Sequence, residues 1–240
     1  MKIKNYIEKI IRRLLNKPNF SLSDDIPLMY IVYDGLSFTK GIFRGKIRKV
    51  GMGKVGKKLK IGKHVQFRRK KLIFLGDNVR IENNVLLNGL SKKGIILGNN
   101  VKIGAYSSLI VSGTLSDLGK EIIIGDNTSF SEFTFFGGAG GIKVGNDVIS
   151  GQNVRFHSEN HNFSNNNELI RLQGVSRKGI EVGNNVWIGA GAIFLDGAKV
   201  GNNSVVAANS VVQKEFPDNV VIGGIPAKII KNREERGKNK

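Results

Sequence analysis

The chain has no cysteine, only four prolines, three histidines and one tryptophan. The lack of cysteine excludes disulfides and a thiolate nucleophile, and it fits a reducing cytosol. Proline is scarce while glycine is abundant, at 31 residues. Disordered low-complexity chains are rich in both, so this imbalance points instead to repeated tight turns at positive φ. No run of about 18 apolar residues exists, which leaves no expected membrane span. The N-terminal stretch MKIKNYIEKIIRRLLNK lacks a continuous apolar core and a small-residue cleavage site, so it does not read as a secretory signal.

Acidic residues are also few, and unevenly so. Residues 1–71 hold 20 Lys and Arg against 4 Asp and Glu, whereas residues 72–240 hold 18 against 15. The net charge of +19 is therefore concentrated in the first third of the chain. Such an excess attracts anionic lipid, nucleic acid, or a phosphorylated or acidic substrate. Nucleic acid is the weaker choice, because the basic stretch carries no recognised reading motif and few aromatics to stack on bases.

What the chain does contain is a repeat of six. Aliphatic-Gly pairs recur at Ile61-Gly62, Leu75-Gly76, Leu97-Gly98, Ile103-Gly104, Ile124-Gly125, Val144-Gly145, Val182-Gly183, Ile188-Gly189 and Val200-Gly201. Many continue as Asn or Asp, Asn, Val, as in Gly98-Asn99-Asn100-Val101. The aliphatic residue opens a short strand and points inward. Gly and Asn turn a corner where positive φ is tolerated. The Val two residues before the next aliphatic also points inward, by the period-2 rule. Three such units, about 18 residues, would close a triangular coil, with successive coils about 4.8 Å apart. The longest clean stretch is Val182, Ile188, Phe194, Val200, Val206, Val212.

Excursions interrupt the rhythm at Leu87–Gly94, at Val111–Glu121 and, at greatest length, from His157 to Lys178. The last is polar and Asn-rich. A long loop leaving a rigid solenoid is expected to carry function. Residues 1–16 read as an amphipathic helix with Ile3, Ile7, Ile10, Ile11, Leu14 and Leu15 on one face, ended by Pro18. Two roles stay open for it: a cap on the first coil or a helix lying on a membrane surface. Residues 19–57 read as a mixed stretch with a basic, Gly-rich end. The domain plan is thus an N-terminal helix and basic segment over 1–57, a solenoid over 58–230 with loop 157–178, and a polar tail over 231–240.

Histidine is the usual general base near neutral pH. His64 sits in a turn of the first recognisable coil and reads as a surface residue. His157 and His161 open the long loop, directly after Val154-Arg155-Phe156.

The run from Val148 through His161, followed by the loop and by Ile180-Glu181-Val182-Gly183-Asn184-Asn185-Val186-Trp187-Ile188-Gly189-Ala190, resembles the maltose, galactoside and polysaccharide O-acetyltransferases among the hexapeptide-repeat acyltransferases. The run Asn219-Val220-Val221-Ile222-Gly223-Gly224-Ile225-Pro226-Ala227-Lys228 is similar to that family's closing segment. The resemblance covers residues 58–230. It implies an all-β, left-handed parallel β-helix, a handedness the period alone does not establish.

The resemblance also implies chemistry. His161 occupies the position of the catalytic base, with His157 the other candidate, expected to point outward near the same site and to orient substrate. The amide of Ala190 corresponds to the oxyanion donor. Ala207 and Ala208 match small residues beside the pantetheine arm of acetyl-CoA, Lys214 and Lys228 match cations facing its phosphates, and Trp187 lines the acceptor pocket. The implied sites lie between subunits of a homotrimer, and no metal takes part. Glu159 or a backbone carbonyl is expected to fix the tautomer of His161. The sugar-binding N-terminal pattern of the small maltose and galactoside enzymes is not visible here. The longer basic N-terminus looks more like the branch that decorates surface polysaccharides or their lipid-linked precursors. The expectation is a cytoplasmic sugar O-acetyltransferase, peripheral to an anionic membrane. The alternative is an N-acetyltransferase acting on a nucleotide-linked amino sugar.

Overall fold

A computed structural model describes residues 2–15, 19–23 and 25–233. The chain divides into two compact units between Gly41 and Ile42. In the first, helix α1 (Lys2–Leu15) is met by the chain that follows it. Arg12 donates from Nε to the Phe20 carbonyl at 2.6 Å, and the Leu22 N–H donates to the Glu8 carboxylate at 2.9 Å. Pro18, the expected helix stop, lies outside the described residues.

The second unit is a left-handed parallel β-helix, the all-β solenoid expected from the repeat. Short strands stack in register into three faces of eight, nine and seven strands. The first face opens at Lys54–Val55, the second at Lys60–Ile61 and the third at Gln66–Arg68. Apart from one antiparallel strand that closes the second face, every pairing along these faces is parallel. The inward residues anticipated from the six-step rhythm are the core: Val182, Ile188, Phe194, Val200, Val206 and Val212 are all buried. At its centre, Phe136, Phe156 and Phe194 stack face to face on successive coils, with centroids 4.9 and 4.7 Å apart. That is the coil spacing itself, so each ring sits directly on the next.

Coils exceed 18 residues where the excursions interrupt them. The register partners Val182 and Val200 are 18 apart, but Ile95 pairs with Ile122 and Ile142 with Ile180. The extra residues all leave by one edge. From first face to second the inward residues step by six (Leu75 to Ile81, Leu97 to Ile103), and so do those from second to third (Ile81 to Leu87, Ile103 to Leu109). From third face back to first the steps run Leu87 to Leu97, Leu109 to Ile124 and Phe156 to Val182. The excursions therefore pile up along the third-to-first edge and bond to one another: Lys92 and Lys93 donate backbone N–H groups to the carbonyls of Gly119 and Lys120, each at 3.0 Å.

The first-to-second edge is uniform for a different reason. Its corner N–H groups are bonded from coil to coil by side chains. Asp77, Asn99, Asp126, Asn146, Asn184, Asn202 and Asp218 each accept the N–H of the corner residue one coil earlier, at 2.6–2.9 Å.

Both solenoid ends are covered, as an open sheet edge requires. At the start stands a helix that the mixed composition of residues 19–57 did not reveal, α2 (Leu28–Arg48). Within the solenoid unit its last turns lie against the first coil. Gly45 is buried there, and any Cβ would collide with the Leu59 carbonyl. Arg44 and Arg48 donate to the otherwise open carbonyls of Ile61 and Val65, at 2.8 and 2.6 Å. Lys70 in turn caps the helix end through the Arg48 and Val50 carbonyls. At the far end, Ala227–Asn232 returns antiparallel along Val220–Gly224. This strand runs through Lys231 and Asn232, two residues into the expected polar tail, and Arg233 reaches the Asn203 carbonyl at 2.6 Å. Residues beyond Arg233 lie outside the described part.

Candidate active site

Loop 157–178 leaves the third face after the strand Arg155–His157 and rejoins the first face at Ile180–Val182. Its two feet are fixed by buried polar side chains. At the exit, Ser158 donates to the Gly137 carbonyl (2.8 Å) and accepts the Gly140 N–H (2.9 Å). At the return, the buried carboxylate of Asp196 accepts the N–H groups of Lys178 and Gly179 at 2.7–2.9 Å. Between the feet the loop is built. Asn160–His161 pairs antiparallel with Val175–Ser176. The Gln173 side chain donates to the Asn165 and Glu168 carbonyls and accepts the Asn165 N–H.

Arg177 clips this hairpin to the neighbouring excursion. Its guanidinium binds Glu159 at 2.6 Å and Asp117 at 2.8 Å. Glu159, expected as a partner for His161, is thus held by Arg177 instead. His161 itself is exposed on the hairpin and lines a hollow of about 480 Å³ made by loop residues, among them Asn160, Phe163, Asn165 and Ser176. His157 does not share that hollow. It ends the third-face strand, packs against Phe135 with ring centroids 5.3 Å apart, and lines a different hollow with Tyr106, Phe133 and Arg155. Burial first, and the Arg155 cation second, lower the His157 pKa below the ordinary imidazole value of 6.5.

His64 stands in a left-handed turn (φ 56°) before the third-face strand Gln66–Arg68. That strand is four places from Arg155–His157 in the sheet, about 19 Å at 4.8 Å per strand. Among the described residues no group of three or more His, Cys, Asp or Glu side chains comes together as a metal would require, and no helix is long and apolar enough to cross a membrane.

Ala190, Ala207 and Ala208 come together elsewhere, at the second-to-third edge. Here the side-chain bonding of the first-to-second edge is sparse. Lys63 still donates its N–H to Asn83, at 2.7 Å, but among the described residues the Ala190 N–H has no acceptor. The glycines of this corner have no room for a side chain. A Cβ on Gly151 would lie 2.6 Å from the Ala190 nitrogen, and one on Gly223 would lie 3.0 Å from the Ala207 Cβ. The result is a narrow strip of backbone with an open N–H donor.

The remaining candidates are dispersed. Trp187 projects from the second face, 56% exposed, between Ile149 and Val205. Lys214 extends over the Phe216 ring, 5.5 Å from its centroid. Lys228 lies on the closing strand opposite Gly223. Within one chain, then, His161 and Ala190 occupy the two opposite edges of the third face. Sequence reasoning missed Ser158, Arg177 and Asp196. Only Asp196 left a signal: it follows the inward Phe194 by two residues, and inward parity is a costly place for a carboxylate without donors.

Residues 179–214 match the model described as bacterial transferase hexapeptide (six repeats). The galactoside O-acetyltransferase of Escherichia coli is 33% identical over 102 residues, 41% of this chain and 47% of that protein. A protein of the same organism named for lipopolysaccharide biosynthesis O-acetyl transfer, WbbJ, is 31% identical over 117 residues, 46% of this chain and 60% of that one. The chain spans about half the length of the curated relatives it matches. Among solved structures, a variant of AntD, an N-acyltransferase from Bacillus cereus in complex with dTDP and coenzyme A, aligns with a TM-score of 0.55 at 21% identity. The alignment covers 80% of this chain and 90% of that one, and the similarity is one of fold.

Proposed function

Starting from a chain that carries the hexapeptide repeat of bacterial transferases, we propose that it moves an acetyl group from acetyl-CoA to a sugar hydroxyl of a surface polysaccharide or its lipid-linked precursor. His161 takes the proton from the hydroxyl, and the oxygen attacks the thioester carbonyl carbon. The Ala190 N–H binds the oxyanion that forms. The C–S bond then breaks, the imidazolium returns its proton to the departing thiolate, and the ester and free coenzyme A leave. The pantetheine arm lies along Ala207 and Ala208, with Lys214 and Lys228 toward the phosphates and with His157 and Trp187 on the acceptor side. No metal and no nucleic acid enter this scheme.

One observation carries the reading: an exposed imidazole on a braced hairpin and an open N–H on a strip of small residues, set on opposite edges of one face. In a homotrimer, the His161 edge of one chain meets the Ala190 edge of the next and completes the site. The test is acetyl-CoA turnover with methyl galactoside and with an amino-sugar acceptor. His161→Ala is expected to lower turnover about 10²–10⁴-fold, the usual contribution of a general base. Unchanged turnover would remove the proposal, and preference for the amine would move it to N-acetylation.

The basic N-terminal third supports a cytoplasmic enzyme that attaches to the inner face of the plasma membrane through anionic lipid. Full-length chain should pellet with anionic vesicles and not with neutral ones. Equal pelleting on both would exclude electrostatic attachment.

A further inference from the structure

At the second-to-third edge every coil turns through one residue in the left-handed region. These form a column: His64, Asn84, Tyr106, Phe133, Asn153, Gly191 and Asn209, with φ between 56° and 72°. Each of Asn84, Tyr106, Phe133, Asn153, Gly191 and Asn209 donates its N–H to the corner carbonyl of the coil before, at 2.9–3.0 Å. Asn and Gly suit such a position, whereas a bulky ring there is uncommon and calls for a reason. Tyr106 (φ 60°) and Phe133 (φ 59°) are those rings.

Folding does not supply the reason. The two rings stack on each other, 5.1 Å apart and 9° from parallel, but both stand outside the core at 57% and 56% exposure. They bound one open hollow whose other wall is Phe135 and His157. Ser108, Thr134, Asn153 and Arg155 complete its lining. Phe135 leans over Gly137, where a Cβ would come within 3.1 Å of its ring. The chain then runs from His157 through Ser158 into the hairpin that carries His161.

We infer that this hollow is a second saccharide subsite, where a pyranose unit of an extended acceptor stacks its C–H face on Tyr106 and Phe133. Its hydroxyls meet Asn153, Arg155 and His157. A shallow aromatic floor with a polar rim suits a ring that is apolar on its faces and polar at its edge. The inference rests on the sugar acetyl-transfer reading and extends it to a chain of sugars instead of one.

The test is Tyr106→Asn/Phe133→Asn, which installs the residue found at Asn84 and Asn153 in the same column. Saturation-transfer NMR on the full chain, with galacto-, gluco- and manno-oligosaccharides as probes, should show transfer to sugar C–H protons in the wild type and its loss in the double variant. The oligosaccharide KM should rise about tenfold, with the loss confined to KM. The melting temperature should hold or rise, because the Asn replacements relieve left-handed strain. Three results would overturn the inference: no transfer to any probe in the wild type, unchanged transfer in the variant, or a lower melting temperature or oligomer mass in the variant, which would make the rings packing or subunit contacts. The binding experiment needs no acetyl transfer. Saturation transfer without acetyl-CoA turnover would therefore sink the acetyl-transfer reading alone, and turnover with unaltered transfer in the variant would sink this inference alone.

Discussion

Mixing two dead variants should restore activity, if the site is divided between chains. His161→Ala removes the base and should cost about 10²–10⁴-fold. Ala208→Tyr places a ring on the strip proposed for the pantetheine arm. Ala208 is exposed, so the larger side chain projects into solvent and leaves the coil intact. When the two variants are co-expressed with different tags, each junction draws its histidine from one chain and its strip from the next. In randomly assembled rings about one quarter of junctions then carry both wild-type halves. Thiol release from acetyl-CoA measures the outcome with no background from the chain, which has no cysteine. Recovery to about one quarter of wild-type turnover supports a site shared across a cyclic interface. Activity no higher than that of the parents would refute the shared site, because a site within one chain is never repaired by mixing.

Two further outcomes are expected. Phe156 is fully buried between Phe136 and Phe194, so Phe156→Ala should lower unfolding free energy by about 3–5 kcal/mol in chemical denaturation. A loss below about 1 kcal/mol would mean the column relaxes freely around the gap. Burial and Arg155 hold the His157 pKa below 6.5. Below that pH the unfolded chain therefore binds a proton that the folded chain does not, and stability falls as the pH drops through this window. His157→Asn should flatten the decline of melting temperature below pH 6.5, and parallel slopes for the two proteins would contradict the assignment.

The six-step rhythm was legible because each position answers to a strong constraint. Inward residues such as Ile188 and Val206 must be apolar, and corners such as Asn185 and Asn203 must tolerate positive φ. Helix α2 was not legible. Gly35, Gly41 and Gly45 weaken its propensity, and part of its support is tertiary: Gly45 against the Leu59 carbonyl, and two arginines on open strand carbonyls. The position of loop 157–178 was evident from the break in period. Its bracing by Arg177 and Asp196 was not, because those partners are distant in sequence and polar residues carry no period. The breaks in period were legible too, but a count along the chain does not reveal that every added residue leaves by the same edge.

That shared exit has an architectural consequence. Two corners of the prism are held to a rigid count, one by Asn and Asp side chains and the other by close backbone contact at small residues. The remaining seam already absorbs steps as different as Val212 to Phe216 and Phe156 to Val182 without disturbing the pairing of Trp187 with Val205. A segment grafted at that seam would thus alter what the protein recognises while leaving the alanine strip where it stands. In such a scaffold the means of handling the thioester and the means of choosing its recipient can be exchanged independently.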